Sequence, residues 1–271
     1  MFVGHRTDIE LNSWKVLPQY RSTQTLVNQG GQLFLQSNIC PHQGSRIRSC
    51  STGTESPACP YHGWTWKFNG EPQGSGTSEC TNKAPLTSKP VHDWNGFLFE
   101  ALIPLSINLA GNYRLEEYRI DNVKANFVPI MDLFLDVDHI PKVHNKVYDI
   151  IGIKNTENIE WKTWSGGSAQ IVDKNKAVWM AMYPYTMFEY QPGAVFVTVS
   201  EPVSESETKV HVFKYKDHSH NNDLWITNCN VWETAWAQDR QQAELLEPGW
   251  RDIPKEHLDV EKRNYRGWLW G

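Results

Sequence analysis

Residues 38–66 read NICPHQGSRIRSCSTGTESPACPYHGWTW, and within them Cys40-Pro-His-Gln-Gly and Cys59-Pro-Tyr-His-Gly-Trp repeat nearly the same phrase. Each phrase offers one thiol and one imidazole, side chains that hold iron and zinc: Cys40 with His42, and Cys59 with His62. Pro41 and Pro60 stiffen the bends, while Gly44 and Gly63 let the backbone pass close to a metal site with N–H groups toward sulfur. Two such loops can close like a clasp. One Cys and one His from each can make a four-coordinate zinc site, although zinc clasps more often use paired Cys-x-x-Cys knuckles. A two-iron cluster with Cys on one iron and His on the other needs two of each.

Working outward from the clasp, Trp14 to Glu100 reads as short strands punctuated by turns. TQTLVNQGGQLFLQ has two apolar runs around Asn-Gln-Gly-Gly, a hairpin signal, and GWTWKFNGEPQG repeats the pattern with Asn-Gly. GFLFEAL reads as the last strand of this all-β half, and IPLSINLAGNYRLEEY as a connector with little helix. The boundary is placed near Ile103, giving domains of residues 1–103 and 104–271. Beyond it, VKANFVPIMDLFLDVDHIP has helical spacing, with Pro129 tolerable in a first turn and Pro141 ending the helix. AVWMAMYPYTMFEY, GAVFVTVSEPV and TKVHVFKYKD alternate as half-buried antiparallel strands do, and CNVWETAWAQDRQQAELL marks a closing helix.

Composition limits the partners. A chain of 271 residues with a formal net charge of -5 shows no basic excess for nucleic acid or anionic membrane. MFVGHRTDIELNSW lacks the blocks of a signal peptide and no later apolar run is long enough to span a bilayer, so a soluble cytoplasmic protein is expected. Five cysteines cannot all pair with one another. Cys50, Cys80 and Cys229 have no ligand spacing and read as idle thiols. Thirteen Trp in so polar a chain supply either core or pocket wall.

The second half carries a second candidate metal site. In MDLFLDVDHIPKVH, Asp132, Asp136 and His139 follow helical steps of four and three and so would share one face. After Pro141, His144 can fold back toward that face. Two histidines beside carboxylates suit non-haem Fe(II), with a third ligand from one carboxylate elsewhere and positions left open for dioxygen. Asp138 reads as a solvated neighbour.

Cys-x-His, this spacer and Cys-x-x-His together resemble the Rieske iron–sulfur family. The order Asp, His, His that follows resembles the Rieske non-haem iron oxygenases over nearly the whole chain. The resemblance implies an α+β fold, with an all-β Rieske domain followed by a helix-grip (START/Bet v 1-like) catalytic domain built on a curved antiparallel sheet. It implies a [2Fe–2S] cluster on Cys40, His42, Cys59 and His62, and a mononuclear Fe(II) on His139, His144 and Asp239 of AWAQDRQQAE, with Glu233 as the rival ligand. Asp136 matches the family's carboxylate that bridges the iron to a neighbouring subunit's cluster in a head-to-tail homotrimer. Trp64 and Trp66 would shield the cluster, and Asp132, Leu133, Ile140 and Trp232 are candidates for the substrate pocket.

The implied activity is that of a terminal oxygenase component. It would use O2 and electrons drawn indirectly from NAD(P)H through a separate reductase or ferredoxin to hydroxylate, dihydroxylate or demethylate a small organic molecule, aromatic or N/O-methylated. The chain departs from the family pattern at Asp132, where many relatives carry Asn, at the ANFVPIMD opening of the iron helix, and in a shortened segment before the Rieske domain. Two other functions fit parts of the sequence: an electron-transfer protein with the cluster alone, and a zinc-stabilised module with a Trp-lined cavity for a hydrophobic ligand.

Overall fold

The computed structural model describes residues 1–73, 84–144, 147, 159–172, 176–246, 248–253, 256, 258 and 260–270; Cys80 lies outside them. Contacts divide the chain into units of Phe2–Ile103 and Pro104–Gly271.

The first unit is all-β among its described residues. Gln24–Gln29 pairs with Gln32–Ser37 across Gly30 and Gly31, whose φ of 58° and 89° supply the left-handed turn that matches strand twist. Ser13–Val16, Thr52–Gly53 and Ser88–Pro90 complete a five-stranded antiparallel sheet, and Phe97–Phe99 sits between Phe2–His5 and His92–Trp94 in a second sheet. One buried cluster gathers Val3, Leu17, Leu26, Leu35 and Leu98; another gathers Trp14, Val16 and Val27. Arg48 leaves the clasp and is buried over the Trp14 ring at 5.0 Å, donating to Thr25 Oγ1 at 2.7 Å and Gln36 Oε1 at 3.0 Å. The segment between the two Cys–His phrases is thereby anchored to the sheet beneath it.

In the second unit a seven-stranded antiparallel sheet runs Tyr113–Val123, Glu207–Asp217, Ala194–Ser204, Thr186–Gln191, Ala177–Met182, Gly167–Val172 and Ile159–Trp164. Helices α1 (Phe127–Leu135), α2 (Ile140–Val143), α3 (Asn222–Leu245) and α4 (Val260–Trp270) accompany it, making the fold α+β. One core joins Val210, Val212, Phe196 and Met187 of the sheet to Ile130 and Met131 of α1 and Trp232 and Trp236 of α3. No helix among the described residues is long and apolar enough to cross a membrane.

Two local readings are corrected by the structure. Tyr113–Val123 is an eleven-residue strand rather than part of a connector. It was hidden because Glu117, Arg119 and Asp121 occupy one face, and these charges are compensated by Lys214 and Glu233 in place of apolar contacts. The helix expected over VKANFVPIMDLFLDVDHIP also stops early. Asn126 caps α1 by accepting from Val128 N at 3.0 Å, but the helix ends at Leu135 and Asp136 is extended, with its Oδ1 accepting from Asp138 N at 2.9 Å. That side chain–backbone turn competes with the helix, and Pro141 then starts α2 from its second position rather than ending α1. Asp132, Asp136 and His139 therefore do not share one helical face.

Candidate metal centres and cavity

The two Cys–His phrases fold as structural copies. Cys40 N–H donates to Ser45 O at 2.8 Å and Gly44 N–H to Cys40 O at 3.0 Å; in the second loop Cys59 N–H donates to Trp64 O at 2.7 Å and Gly63 N–H to Cys59 O at 3.0 Å. The flanking bridges Ile39–Arg46 and Ala58–Thr65 are equivalent too, and Gly44 and Gly63 take φ of 74° and 70°, where a Cβ would be strained. These turns aim backbone N–H groups of His42 and Gln43 at the Cys40 sulfur, and those of Tyr61 and His62 at the Cys59 sulfur. For Cys59 burial raises the thiol pKa, but the N–H groups together with the Cys40 and Ser45 side chains outweigh it and the pKa falls; for Cys40 burial prevails and the pKa rises.

Cys40 and Cys59 are buried, whereas His42 and His62 are half-buried with ring centroids 4.9 Å apart. Trp64 stacks on His42 at 4.8 Å, Trp66 is buried behind it, and the exposed Tyr61 lies 4.1 Å from His62. His62 Nδ1 is buried without a hydrogen-bond partner. The Cys40 and Cys59 side chains contact one another, and the His42 and His62 rings pair beside them. Paired thiols inside and paired imidazoles outside suit a cluster with two metal positions.

His139, His144 and Asp239 converge at the other site. His139 is the N-cap and His144 the C-cap of α2, so one helical turn sets both rings, and α3 brings Asp239 across from the far side of the chain. The separations are 3.1 Å between the two Nε2 atoms, 3.3 Å from His139 Nε2 to Asp239 Oδ1 and 3.0 Å from His144 Nε2 to Asp239 Oδ1. Donors about 2.1 Å from one ion and mutually at right angles would stand about 3.0 Å apart, so the three atoms could hold one ion together. Asp239 Oδ1 is buried and makes no directed hydrogen bond. His144 Nδ1 donates to Gln238 Oε1 at 2.7 Å, which leaves Nε2 free to coordinate. Burial would raise the Asp239 pKa, but the two imidazoles outweigh it and hold the carboxylate below its usual range.

Residues 1–85 match the family model described as the Rieske [2Fe-2S] domain. Along most of the chain there is similarity to the putrescine 2-hydroxylase of Ralstonia nicotianae, 20% identical over 245 residues that cover 77% of this chain and 67% of that protein. The chain thus carries a Rieske [2Fe-2S] domain and is similar beyond it to Rieske oxygenases. The oxygenase subunit of carnitine monooxygenase from Acinetobacter baumannii is 24% identical over 233 residues, 70% of this chain and 59% of that subunit. In fold, a quaternary ammonium Rieske monooxygenase in complex with γ-butyrobetaine superposes with a TM-score of 0.68 at 18% identity, covering 99% of this chain and 86% of that one. The present chain thus spans about three fifths to two thirds of the two curated relatives.

The trio opens onto a cavity between α1, α3 and the sheet. Space for the centres of water-sized molecules amounts to about 40 Å³. A single water needs about 10–15 Å³ by that measure, so the room suits a small, slender molecule. Leu133, Ile140 and Trp232 line it as the sequence suggests, and Asp136 lies in its wall. Asp132 does not. Its carboxylate is buried against Arg266, accepting from Nε at 3.2 Å, while Arg266 also donates to Trp250 O at 2.8 Å. Glu233 accepts from Arg119 at 2.9 Å and pairs with Lys214, away from the trio.

Asp136 accepts from Lys262 Nζ at 2.8 Å as well as from Asp138 N–H. Burial would raise its pKa, but Lys262, Asp138 and His139 together lower it, so the carboxylate is ionised beside the trio. Asp138 itself is exposed. Two neighbours of the trio and its cavity escaped sequence reasoning. Gln238 had only its adjacency to Asp239 as a signal. Glu189 had more, being a charged residue in the otherwise apolar strand TMFEYQ at a position in phase with Met187.

Proposed function

We propose that this chain is the terminal component of a Rieske oxygenase system, with the cluster carried by Cys40, His42, Cys59 and His62 and a mononuclear iron carried by His139, His144 and Asp239. The observation that carries the reading is the facial trio, whose three mutually close donors leave the opposite positions open toward a cavity. An iron held there supplies dioxygen activation, and insertion of one oxygen atom into a C–H bond consumes two electrons and two protons and releases water.

The chain's own residues do the rest. Gln238 fixes the His144 tautomer by accepting the Nδ1 proton. Ile130, Leu133, Phe134 and Met187 keep bulk water out of the cavity and position the substrate beside the trio. The half-buried His42 and His62 form the side of the clasp from which electrons from a separate reductase or ferredoxin would enter or leave. Asp136 would link the iron site to the cluster of a neighbouring subunit in a head-to-tail trimer, the closed form of a heterologous contact. A soluble cytoplasmic enzyme fits this scheme.

The substrate is a small molecule that enters a narrow, largely apolar room. Putrescine and carnitine, named in the relatives, both carry cationic nitrogen, and amines therefore come before aromatic hydrocarbons as candidates. The test is anaerobic reconstitution with iron and sulfide, followed by a screen of amines, N-methylated compounds and aromatic compounds for oxygen uptake in the presence of a reductase. Uptake matched by a product one oxygen heavier, or by loss of a methyl group as formaldehyde, is the expected result. Uptake that yields only reduced oxygen with every compound would count against the reading.

A further inference from the structure

The strand Thr186–Gln191 places Glu189 directly opposite Trp179 on one neighbouring strand and Phe196 on the other. Directly opposed residues share a face of the sheet, so a carboxylate sits in a row of aromatic rings. Trp232 of α3 closes the row from above, stacking on Phe196 at 5.2 Å and donating its Nε1–H to Glu189 Oε1 at 2.9 Å. Glu189 is half-buried and lines the cavity, and burial pushes its carboxyl pKa up to about 7.

A buried carboxylate costs free energy unless a charge or several donors compensate it. Among the described residues no basic side chain forms an ion pair with Glu189, and one neutral indole N–H is its hydrogen-bond donor. The charged groups that act on Glu189 are Asp239 and His144 of the trio, while Arg119 and Lys214 lie 5.7 Å from the Trp232 centroid. They are already committed to three carboxylates, those of Glu117, Asp121 and Glu233. Arg240, also in the cavity wall, donates to Asn122 O at 3.1 Å. A carboxylate beside electron-rich ring faces is the chemistry that recognises an organic cation, because ring quadrupoles and the anion attract the same sign of charge.

We propose that Glu189 is the seat for a positively charged nitrogen of the substrate, an alkylammonium group held against its carboxylate between Trp179 and Trp232. The assignment rests on this cavity being the substrate site, and it makes the substrate a small organic cation. Seven residues separate Trp232 from Asp239 on α3, two helical turns on the same side, so a cation seated at Glu189 extends along the cavity toward the trio.

The test measures binding rather than turnover. Holoprotein with cluster and iron is titrated anaerobically by calorimetry with two matched pairs: n-butylammonium against 1-butanol, and choline against its neutral carbon isostere 3,3-dimethylbutan-1-ol. Glu189→Gln is titrated in parallel, because its amide oxygen still accepts from Trp232 Nε1 and only the charge is removed. At least one cation is expected to bind tenfold or more tightly than its neutral partner, and Glu189→Gln should abolish that preference while leaving the neutral compound's affinity and the iron content unchanged. Absence of any cation preference in the wild type, including failure of both cations to bind, overturns the assignment, as does a preference that survives in Glu189→Gln. A protein that binds cations through Glu189 yet oxygenates nothing would remove the oxygenase reading and leave the ammonium seat standing, and oxygenation of neutral compounds alone would do the reverse.

Discussion

Gln238 Oε1 and His144 Nδ1 are 2.7 Å apart, so the residue beside one proposed iron ligand fixes the proton of another. Gln238→Ala should leave His144 free to rotate and to take either tautomer, and iron affinity is expected to fall about 10- to 100-fold. Gln238→Glu keeps an acceptor at the same place and should lose less. Competition of each apoprotein with a chelator of known affinity measures the difference; equal iron affinity for wild type and Gln238→Ala would mean that the contact does not orient the ligand.

The pH dependence of iron binding follows from the same ring. Burial alone would lower the His144 pKa, but bonds to Asp239 and Gln238 outweigh it, so in the metal-free protein the imidazole holds its proton above the usual value of 6.5. A metal must displace that proton, so affinity is expected to climb as pH rises through the neutral range and to level off once His144 has titrated. Proton release on iron binding, measured in weakly buffered solution, should shrink over the same interval. An affinity flat between about pH 6 and 8 would contradict the ligand assignment.

Asp132 and Arg266 test the boundary of the cavity. Both are buried and paired, and removing one partner from such a pair costs about 3–5 kcal/mol because the other charge is stranded. Asp132→Ala should therefore lower the denaturation midpoint strongly while the folded fraction keeps its iron and its substrate affinity. A stable Asp132→Ala protein with altered substrate affinity would return Asp132 to the cavity wall.

Much of the candidate site was legible because its proposed ligands come in short, stiff phrases. Cys40-Pro-His and Cys59-Pro-Tyr-His carry their own turns, and His139 and His144 flank a proline-started helical turn whose geometry is local. What was not legible depends on distant partners. The period that placed Asp132, Asp136 and His139 on one face is true of an unbroken helix, and the break comes from the Asp136 side chain bonding to Asp138 N–H. Asp132 turns to Arg266, 134 residues away, and Glu189 meets Trp232 across 43 residues. The strand Tyr113–Val123 was missed because its charges are compensated by residues about a hundred positions later.

The role proposed for Asp136 is in electron delivery. Its carboxylate is held by Lys262 at 2.8 Å and stands in the cavity wall beside His139. Asp136→Asn should retain cluster and iron, be reduced normally by its partner, and reoxidise at least an order of magnitude more slowly with oxygen and substrate, because the charged link that orients its histidines is gone. Rapid-mixing absorbance follows this directly. Wild-type reoxidation in the variant, or full activity from a monomer, would sink the proposed inter-subunit route.

The two-centre account is tested most directly by counting iron and acid-labile sulfide in anaerobically reconstituted protein and in His139→Ala and His62→Ala. A cluster and a separate mononuclear site predict three irons and two sulfides per wild-type chain, with the red-brown absorbance of the cluster. His139→Ala should fall to two irons with sulfide and colour intact, and His62→Ala should lose sulfide and colour. A colourless zinc protein, two irons in the wild type, or loss of sulfide from a folded His139→Ala protein would contradict the account.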